Sequence, residues 1–145
     1  MRRGQAAVEW VVILSVAILI LAVMLSFNEE NYLFFRNNMK VSKAKAALNE
    51  LKNSADFVYS QGSGAKTRVY VTIPVETNIT IETLSTGTGQ IQAEVLVNGE
   101  REYFDVYTEA NLSGSLPEKG GSYCVDIECL GEVVSITRSS GSCST

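Results

Sequence analysis

The N-terminal residues 2–27 read RRGQAAVEWVVILSVAILILAVMLSF. A single acid, Glu9, precedes an uncharged run from Trp10 to Phe27, in which the only polar side chains are two serines. As a helix, these eighteen residues would span about 27 Å, close to the ~30 Å thickness of a bilayer's hydrocarbon core. The sequence therefore predicts that residues 10–27 span a membrane as a helix.

The charges on either side of the apolar run predict its orientation. Arg2 and Arg3 precede it, whereas Glu29 and Glu30 follow it. Basic residues favour the cytoplasmic side of a membrane, so residue 28 onward is expected outside the cell membrane. No Ala-x-Ala cleavage site follows the apolar run, so we expect the run to stay with the chain.

A second helical segment is predicted over residues 28–61. It contains no proline or glycine, and from residue 41 its apolar side chains recur at steps of three and four residues, a narrow seam of coiled-coil period. We predict that this seam packs the helix against the rest of the chain. Its members are Val41, Ala44, Leu48, Leu51, Ala55 and Val58. Asparagines within residues 28–38 predict a bend or a frayed segment there, and Gly62-Ser63-Gly64 predicts the end of the helix.

Residues 62–145 have the composition of a β-rich head, with alternating apolar and polar residues. Asn98-Gly99 is a strong signal for a type I′ hairpin turn. A loop is predicted from Ala110 to Ser122, which is rich in Ser and Gly. The predicted strands cover residues 67–73, 79–81, 91–97, 102–106, 123–127 and 133–136. We predict an α+β fold: a long N-terminal helix, apolar in its first half and amphipathic in its second, on an antiparallel β-sheet head.

The composition argues against several classes of function. The net charge is −4, and no Lys/Arg cluster occurs in the C-terminal half, so we expect no nucleic-acid partner. The chain has no histidine, which removes the commonest general base and metal ligand. It also lacks a glycine-rich phosphate loop and a nucleophile elbow. We therefore expect no catalytic residues, no cofactor and no metal, and a protein that is not an enzyme.

Three cysteines lie within the last 22 residues: Cys124, Cys129 and Cys143. In an exported head, this number predicts one disulfide and one leftover thiol, and the spacing leaves the pairing open. Three free thiols in a reducing compartment are the alternative. A zinc site is disfavoured because a fourth soft ligand is missing.

Two further features concern the surface of the head. Asn78-Ile79-Thr80 and Asn111-Leu112-Ser113 make Asn78 and Asn111 candidate N-glycosylation sites. Four tyrosines alternate with other residues in the predicted strands. They could form an adhesive aromatic patch, but we favour packing within the sheet, because tyrosine is a common strand residue. They are Tyr70, Tyr103, Tyr107 and Tyr123.

The motif Gln5-x-Ala7-x-Glu9, directly after Arg-Arg-Gly and before an apolar helix, resembles the class III signal peptide of archaeal type IV pilins. Ile13 matches the aliphatic residue four after the acid, whereas Ala7 replaces the family's usual serine. Residues 55–64, followed by a strand ending at Ile73-Pro74, also resemble the helix-to-sheet junction of those pilins. The resemblance covers about the first 75 residues.

The resemblance implies four regions: a leader (1–4), a transmembrane and filament-core helix (5–27), an amphipathic continuation (28–61) and a globular head (62–145). It implies that a prepilin peptidase cleaves between Gly4 and Gln5 on the cytoplasmic side. It further implies that Glu9 then pairs with the new amine of Gln5 on a neighbouring copy. The implied partners are copies of the chain, membrane lipid before assembly, the peptidase and the pilus assembly machinery.

The function implied by the resemblance is that of a major pilin: a subunit of an extracellular adhesion filament, held as a precursor in the cell membrane. One alternative is a minor pilin or pseudopilin-like envelope subunit. A bacterial tight-adherence minor pilin is another, since those proteins also begin with Ala-Val-Glu-aromatic before an apolar helix. An archaellin is a third, although that family has a Gly-rich start to its helix. Beyond filaments, the alternatives are a single-pass anchored binding protein, sensor or membrane enzyme. For Glu9, the simpler alternative is a carboxylate at the headgroup interface without a specific contact.

Overall fold

The computed structural model describes the backbone of residues 2–117, 119–140 and 143, and within it the side chains outside 2–7 and 28–30. Within these residues the fold is α+β, with one long N-terminal helix and seven strands. The chain divides into two compact units, Met1–Asn38 and Met39–Thr145. The predicted head began later, at residue 62. The difference arises because the second unit includes the end of the helix, which forms part of its core.

Helix α1 runs from Arg2 to Gln61. The segment 28–38, in which asparagines predicted a bend or fraying, is helical in the structure. The helix ends where the sequence predicts. Gly62 adopts a φ of 89° and its N–H donates to the Tyr59 carbonyl oxygen at 3.1 Å. This left-handed conformation is easily adopted only by glycine, and it stops the helix.

The strands form two sheets rather than one. They are β1 (Lys66–Ile73), β2 (Thr77–Thr83), β3 (Gly89–Val97), β4 (Glu100–Thr108), β5 (Asn111–Ser115), β6 (Gly121–Leu130) and β7 (Val133–Arg138). One sheet has the strand order β1-β6-β7-β5, and the other has β2-β3-β4. All six predicted strands are present, extended at one or both ends.

Two predictions about the head are wrong. The head is not purely antiparallel, because β5 pairs parallel to β7, with Asn111 opposite Val133 and Ser115 opposite Thr137. The predicted loop from Ala110 to Ser122 contains strand β5 and the start of β6. The Ser- and Gly-rich composition of β5 has low β propensity, so its pairing with β7 stabilises a strand that its own residues do not indicate.

The hairpin between β3 and β4 confirms the Asn98-Gly99 prediction. Both residues have positive φ, 54° and 85°, as a type I′ turn requires. Val97 lies opposite Glu100 across this two-residue turn. In this register Ile91, Ala93 and Val95 of β3 face the core, and Gln92, Glu94 and Leu96 lie on the opposite face.

The core joins the helix to both sheets. Among the residues predicted to pack the helix on the head, Val41 is half-buried; the other five are 0–1 % exposed, and they are Ala44, Leu48, Leu51, Ala55 and Val58. The prediction omitted Ala47, which is 4 % exposed. The six buried side chains, from Ala44 to Val58, share one hydrophobic cluster with inward-facing residues of the strands. Ala47 widens the seam from a narrow stripe to a face, as a helix lying on a sheet requires.

The edges of the two sheets meet at β2 and β5. The Thr83 hydroxyl donates to the Leu112 carbonyl oxygen at 2.7 Å and accepts from the Leu112 N–H at 2.8 Å. One side chain thus satisfies both backbone groups of Leu112 where β5 has no second strand. Gly114 is needed next to it, since a Cβ there would overlap the Ile136 carbonyl oxygen.

Candidate functional site

The apolar stretch of helix α1 is exposed on every side. Its large apolar side chains between Val8 and Phe27 are 47–74 % exposed, with Val23 the least and Trp10 the most accessible. Within the described residues, one helix is long and apolar enough to cross a membrane, and none of its apolar window is buried. A helix that is apolar all round requires an apolar environment, and the described part of the chain provides none around these side chains.

The two serines of this stretch satisfy their hydroxyl groups on their own helix. Ser15 Oγ donates to the Val11 carbonyl oxygen at 2.7 Å, and Ser26 Oγ donates to that of Ala22 at 3.1 Å. Both are bonds to the residue four positions earlier. A hydroxyl paired in this way can enter hydrocarbon at little cost, because no polar group is left without a partner.

Glu9 lies at the N-terminal end of the exposed stretch, and its side chain is exposed. The ion pairs between described side chains do not include it. A carboxylate next to a membrane-length apolar run is costly to place in lipid unless it reaches the interface or finds a cation. The predicted cleavage residues Gly4 and Gln5 lie within α1, but their side chains are outside the described residues.

The alternation of side chains along strand β6 explains which cysteines form a disulfide. Cys124 and Cys143 form a disulfide, with their Cα atoms 5.6 Å apart. Cys129, on the same strand β6 as Cys124, is a buried free thiol whose Sγ–H donates to the Gly131 carbonyl oxygen at 3.3 Å. Successive strand residues face opposite sides of a sheet. Cys124 and Cys129 are five positions apart, so they face opposite sides, and only Cys124 lies on the same face as Cys143.

The two sequons differ in accessibility. Asn78 lies on β2 with its side chain exposed, whereas Asn111 begins β5 and is half-buried. The residue after Asn111, Leu112, is buried and held at its backbone by Thr83. The two sequons are thus equivalent in sequence but differ in accessibility in the structure.

The expectation that the four tyrosines pack within the sheet is wrong for three of them. Tyr70, Tyr103 and Tyr107 are 61 %, 54 % and 51 % exposed. They do not form one patch either, because Tyr70 belongs to the four-stranded sheet and the other two to the three-stranded sheet. Tyr123 is half-buried, and its hydroxyl donates to the Lys119 carbonyl oxygen at 2.7 Å.

Sequence reasoning missed a group of four bulky residues: Tyr32, Leu33, Phe34 and Phe35. All four side chains are at least half exposed. The signal that identifies them is four consecutive bulky apolar residues, since such a run covers every side of a helix with 3.6 residues per turn. As for metals, the described residues contain no group of three or more His, Cys, Asp or Glu side chains placed to hold an ion.

Comparison of the chain with protein-family models, with curated proteins and with solved structures returned no match.

Proposed function

We propose that this chain is the structural subunit, a major pilin, of an archaeal type IV pilus-like surface filament that serves adhesion. Before assembly the chain is held in the cell membrane by residues 5–27, with the β-rich head outside. In the filament the same residues pack against copies of themselves. The role is structural rather than catalytic.

The observation that carries this proposal is the membrane-length helix whose apolar side chains are all exposed. Burying one such side chain is worth about 1.5–3 kcal/mol, so this stretch in water would be strongly disfavoured. In the precursor, lipid surrounds the apolar side chains of this stretch. A bundle of identical helices covers them equally well, so the chain can leave the membrane without exposing the stretch to water.

Glu9 gives the bundle a specific contact. After cleavage between Gly4 and Gln5, the α-amine of Gln5 on one copy is a cation at the same end of the helix as the Glu9 carboxylate of another. A carboxylate inside an apolar bundle is tolerated when it is paired, and removing its partner costs about 3–5 kcal/mol. The pair therefore favours assembly at one defined position along the helix.

Two features of the sequence and the head support an extracellular location. Arg2 and Arg3 on one side of the apolar run and Glu29 and Glu30 on the other favour export of the head. The head carries a disulfide, a bond that persists in oxidising compartments.

The test is Glu9→Gln in the full chain, with Ser15→Ala as the control. Ser15 also lies in the apolar run, but its hydroxyl bonds only to its own helix. We expect Glu9→Gln to insert in the membrane and to be cleaved normally, yet to yield fewer filaments, while Ser15→Ala assembles normally. The readouts are the membrane fraction, the N-terminal mass and the mass of sheared filaments.

Three results would contradict parts of the proposal. Normal filament yield from Glu9→Gln would remove the role of Glu9. A cellular protein that retains Met1 would exclude the processing step and favour an anchored protein. A copy number of a few chains per filament would assign the chain to a minor subunit instead.

A further inference from the structure

A cavity lies between the end of helix α1 and β4, an edge strand of the three-stranded sheet. Its volume is about 660 Å³, within the range of about 300–1,000 Å³ that is usual for small-molecule sites. Its lining belongs entirely to the second compact unit, Met39–Thr145. The residues of the lining that bear on its chemistry include Lys52, Asp56 and Tyr59 of the helix, Tyr107 of β4, and Glu109 just after β4.

Two tyrosines line the cavity, one from the helix and one from the strand. Tyr59 is 38 % exposed and Tyr107 is 51 % exposed, and neither belongs to the hydrophobic core. A tyrosine ring has an electron-rich apolar face and a polar hydroxyl at its edge. Such a face attracts C–H groups of slight positive charge, which a sugar ring presents on its flat sides.

The carboxylate of Asp56 has hydrogen-bonding capacity that the described chain does not use. Its Oδ2 accepts from Lys52 Nζ at 2.6 Å, whereas its Oδ1 is buried and has no hydrogen-bond partner among the described residues. An ionised carboxylate has about four lone-pair sites on its two oxygens, and an unpaired buried acceptor is costly. Since Asp56 lines the cavity, a ligand that carries hydroxyl donors can bond to this carboxylate.

The rest of the lining also calls for a ligand that donates hydrogen bonds and carries no charge. The exposed Glu109 is a second acceptor, and Ser60 already donates to the Phe57 carbonyl oxygen at 2.7 Å, which leaves its hydroxyl as an acceptor. Lys52 disfavours a cationic ligand next to Asp56, and the two carboxylates disfavour an anionic one, because like charges repel across an interface.

We infer that this cavity binds a neutral saccharide. The rings of Tyr59 and Tyr107 lie against the C–H face of a sugar ring, and Asp56 and Glu109 accept hydrogen bonds from its hydroxyl groups. A sugar combines an apolar ring face, several hydroxyl donors and no charge, and each property matches one feature of the lining. The inference goes beyond the proposed function and does not require filaments, since the cavity lies within one chain.

Nuclear magnetic resonance of the full chain, labelled at tyrosine and held in a detergent without a sugar headgroup, tests this inference. The six tyrosine signals are assigned by single substitutions. The probes are the methyl glycosides of glucose, galactose, mannose and N-acetylglucosamine. We expect at least one of them to shift the signals of Tyr59 and Tyr107 and to leave that of Tyr70 unchanged. The expected dissociation constant is on the order of 1 mM, because the sugar exchanges bonds to water for bonds to the protein.

Two pairs of variants locate the site. Tyr107→Ala removes one aromatic face and should weaken binding about tenfold, whereas Tyr70→Ala, at an exposed tyrosine of the four-stranded sheet, should not change it. Asp56→Asn removes a charged acceptor and should weaken binding about fivefold. Asp105→Asn is its matched control, at an exposed position of β4 outside the lining. Near-ultraviolet circular dichroism checks that each variant keeps a folded head.

Three results would overturn the saccharide site. The first is the absence of shifts with every glycoside at concentrations well above the expected dissociation constant. The second is undiminished binding by the folded Tyr107→Ala variant. The third is a response to tetramethylammonium chloride but to none of the glycosides, which would assign the cavity to an organic cation. Because the measurement uses single chains, these results leave the proposed function standing. A chain that binds a glycoside but forms no filaments in the cell would overturn the proposed function alone.

Discussion

Two portions of helix α1 differ in whether the rest of the described chain covers their apolar side chains. In residues 39–61, the apolar face is buried by strands of the same chain, and Leu48, Leu51 and Ala55 are 0–1 % exposed. In residues 8–27, the apolar side chains are exposed all round. A seam of three- and four-residue steps can be covered by one sheet, whereas a helix that is apolar on every face needs a surrounding medium. The first portion stabilises the fold, and the second is long and apolar enough to cross a membrane.

The most direct test of this difference is to truncate one leucine in each portion of the helix. Leu51→Ala should lower the free energy of unfolding of the head by about 2–5 kcal/mol, because it opens a cavity in a closed core. Leu14→Ala, at a residue 61 % exposed, should leave head stability within about 0.5 kcal/mol. Urea unfolding of the full chain in detergent, followed by near-ultraviolet circular dichroism, measures both. Equal effects of the two changes would contradict the division of the helix into two portions.

The disulfide gives the next largest effect. Cys124→Ser should destabilise the head by about 3 kcal/mol, since the disulfide closes a loop with a sequence separation of 19. The circular-dichroism signal of the helix over residues 8–27 should not change. Thiol labelling provides the control: the native chain should label slowly, at one thiol, and only when unfolding exposes Cys129. Rapid labelling of Cys129 in the folded chain would contradict its burial.

Acid should weaken the head through the cross-strand ion pair between Arg68 and Asp126. Arg68 hydrogen-bonds to Asp126 at 2.6 and 3.1 Å, and this bond, assisted by one from Ser139, holds the pKa of Asp126 below its usual range. A carboxyl whose pKa is lower in the folded state stabilises it above the unfolded pKa, near 4. That contribution is lost as the pH falls from about 4 towards the folded pKa.

Unfolding midpoints measured between pH 6 and pH 3 check this loss of stability. The midpoint should fall modestly in this range for the unmodified chain, and less for Asp126→Asn, which has no charge to lose. Because the pair lies at the surface, the effect is smaller than that of Leu51 or the disulfide. An identical pH profile for both proteins would remove the pair as the cause.

Glycosylation should distinguish the two sequons of the head and should have little effect on the stability of the head. We expect a glycan at the exposed Asn78 and none at the half-buried Asn111, because a transferase must reach the side-chain amide. Intact mass of the cellular protein, compared with Asn78→Gln and Asn111→Gln, measures this. A mass lost only in Asn111→Gln would reverse the assignment.

Much of the fold was predictable because its signals are local. The end of α1 at Gly62 and the turn at Asn98-Gly99 depend on backbone angles that glycine and asparagine favour. Strand β5 was not predictable from its own residues, because Asn111–Ser115 forms a strand through pairing with β7 and the bonds from Thr83. The exposure of Tyr70, Tyr103 and Tyr107 likewise depends on which face of each strand meets the core.

The sequence alone determined the apolar run with its single preceding acid, the seam of residues 41–58 and the change to β composition after residue 61, since each is a property of neighbouring residues. The tertiary structure decided which cysteines pair, which sequon is accessible, and that the head consists of two sheets with a parallel pair. These depend on strand register and on contacts between residues far apart in the chain, which periodicity and propensity do not encode. For the exposed stretch of helix α1, by contrast, the tertiary structure added no partner from within the described chain.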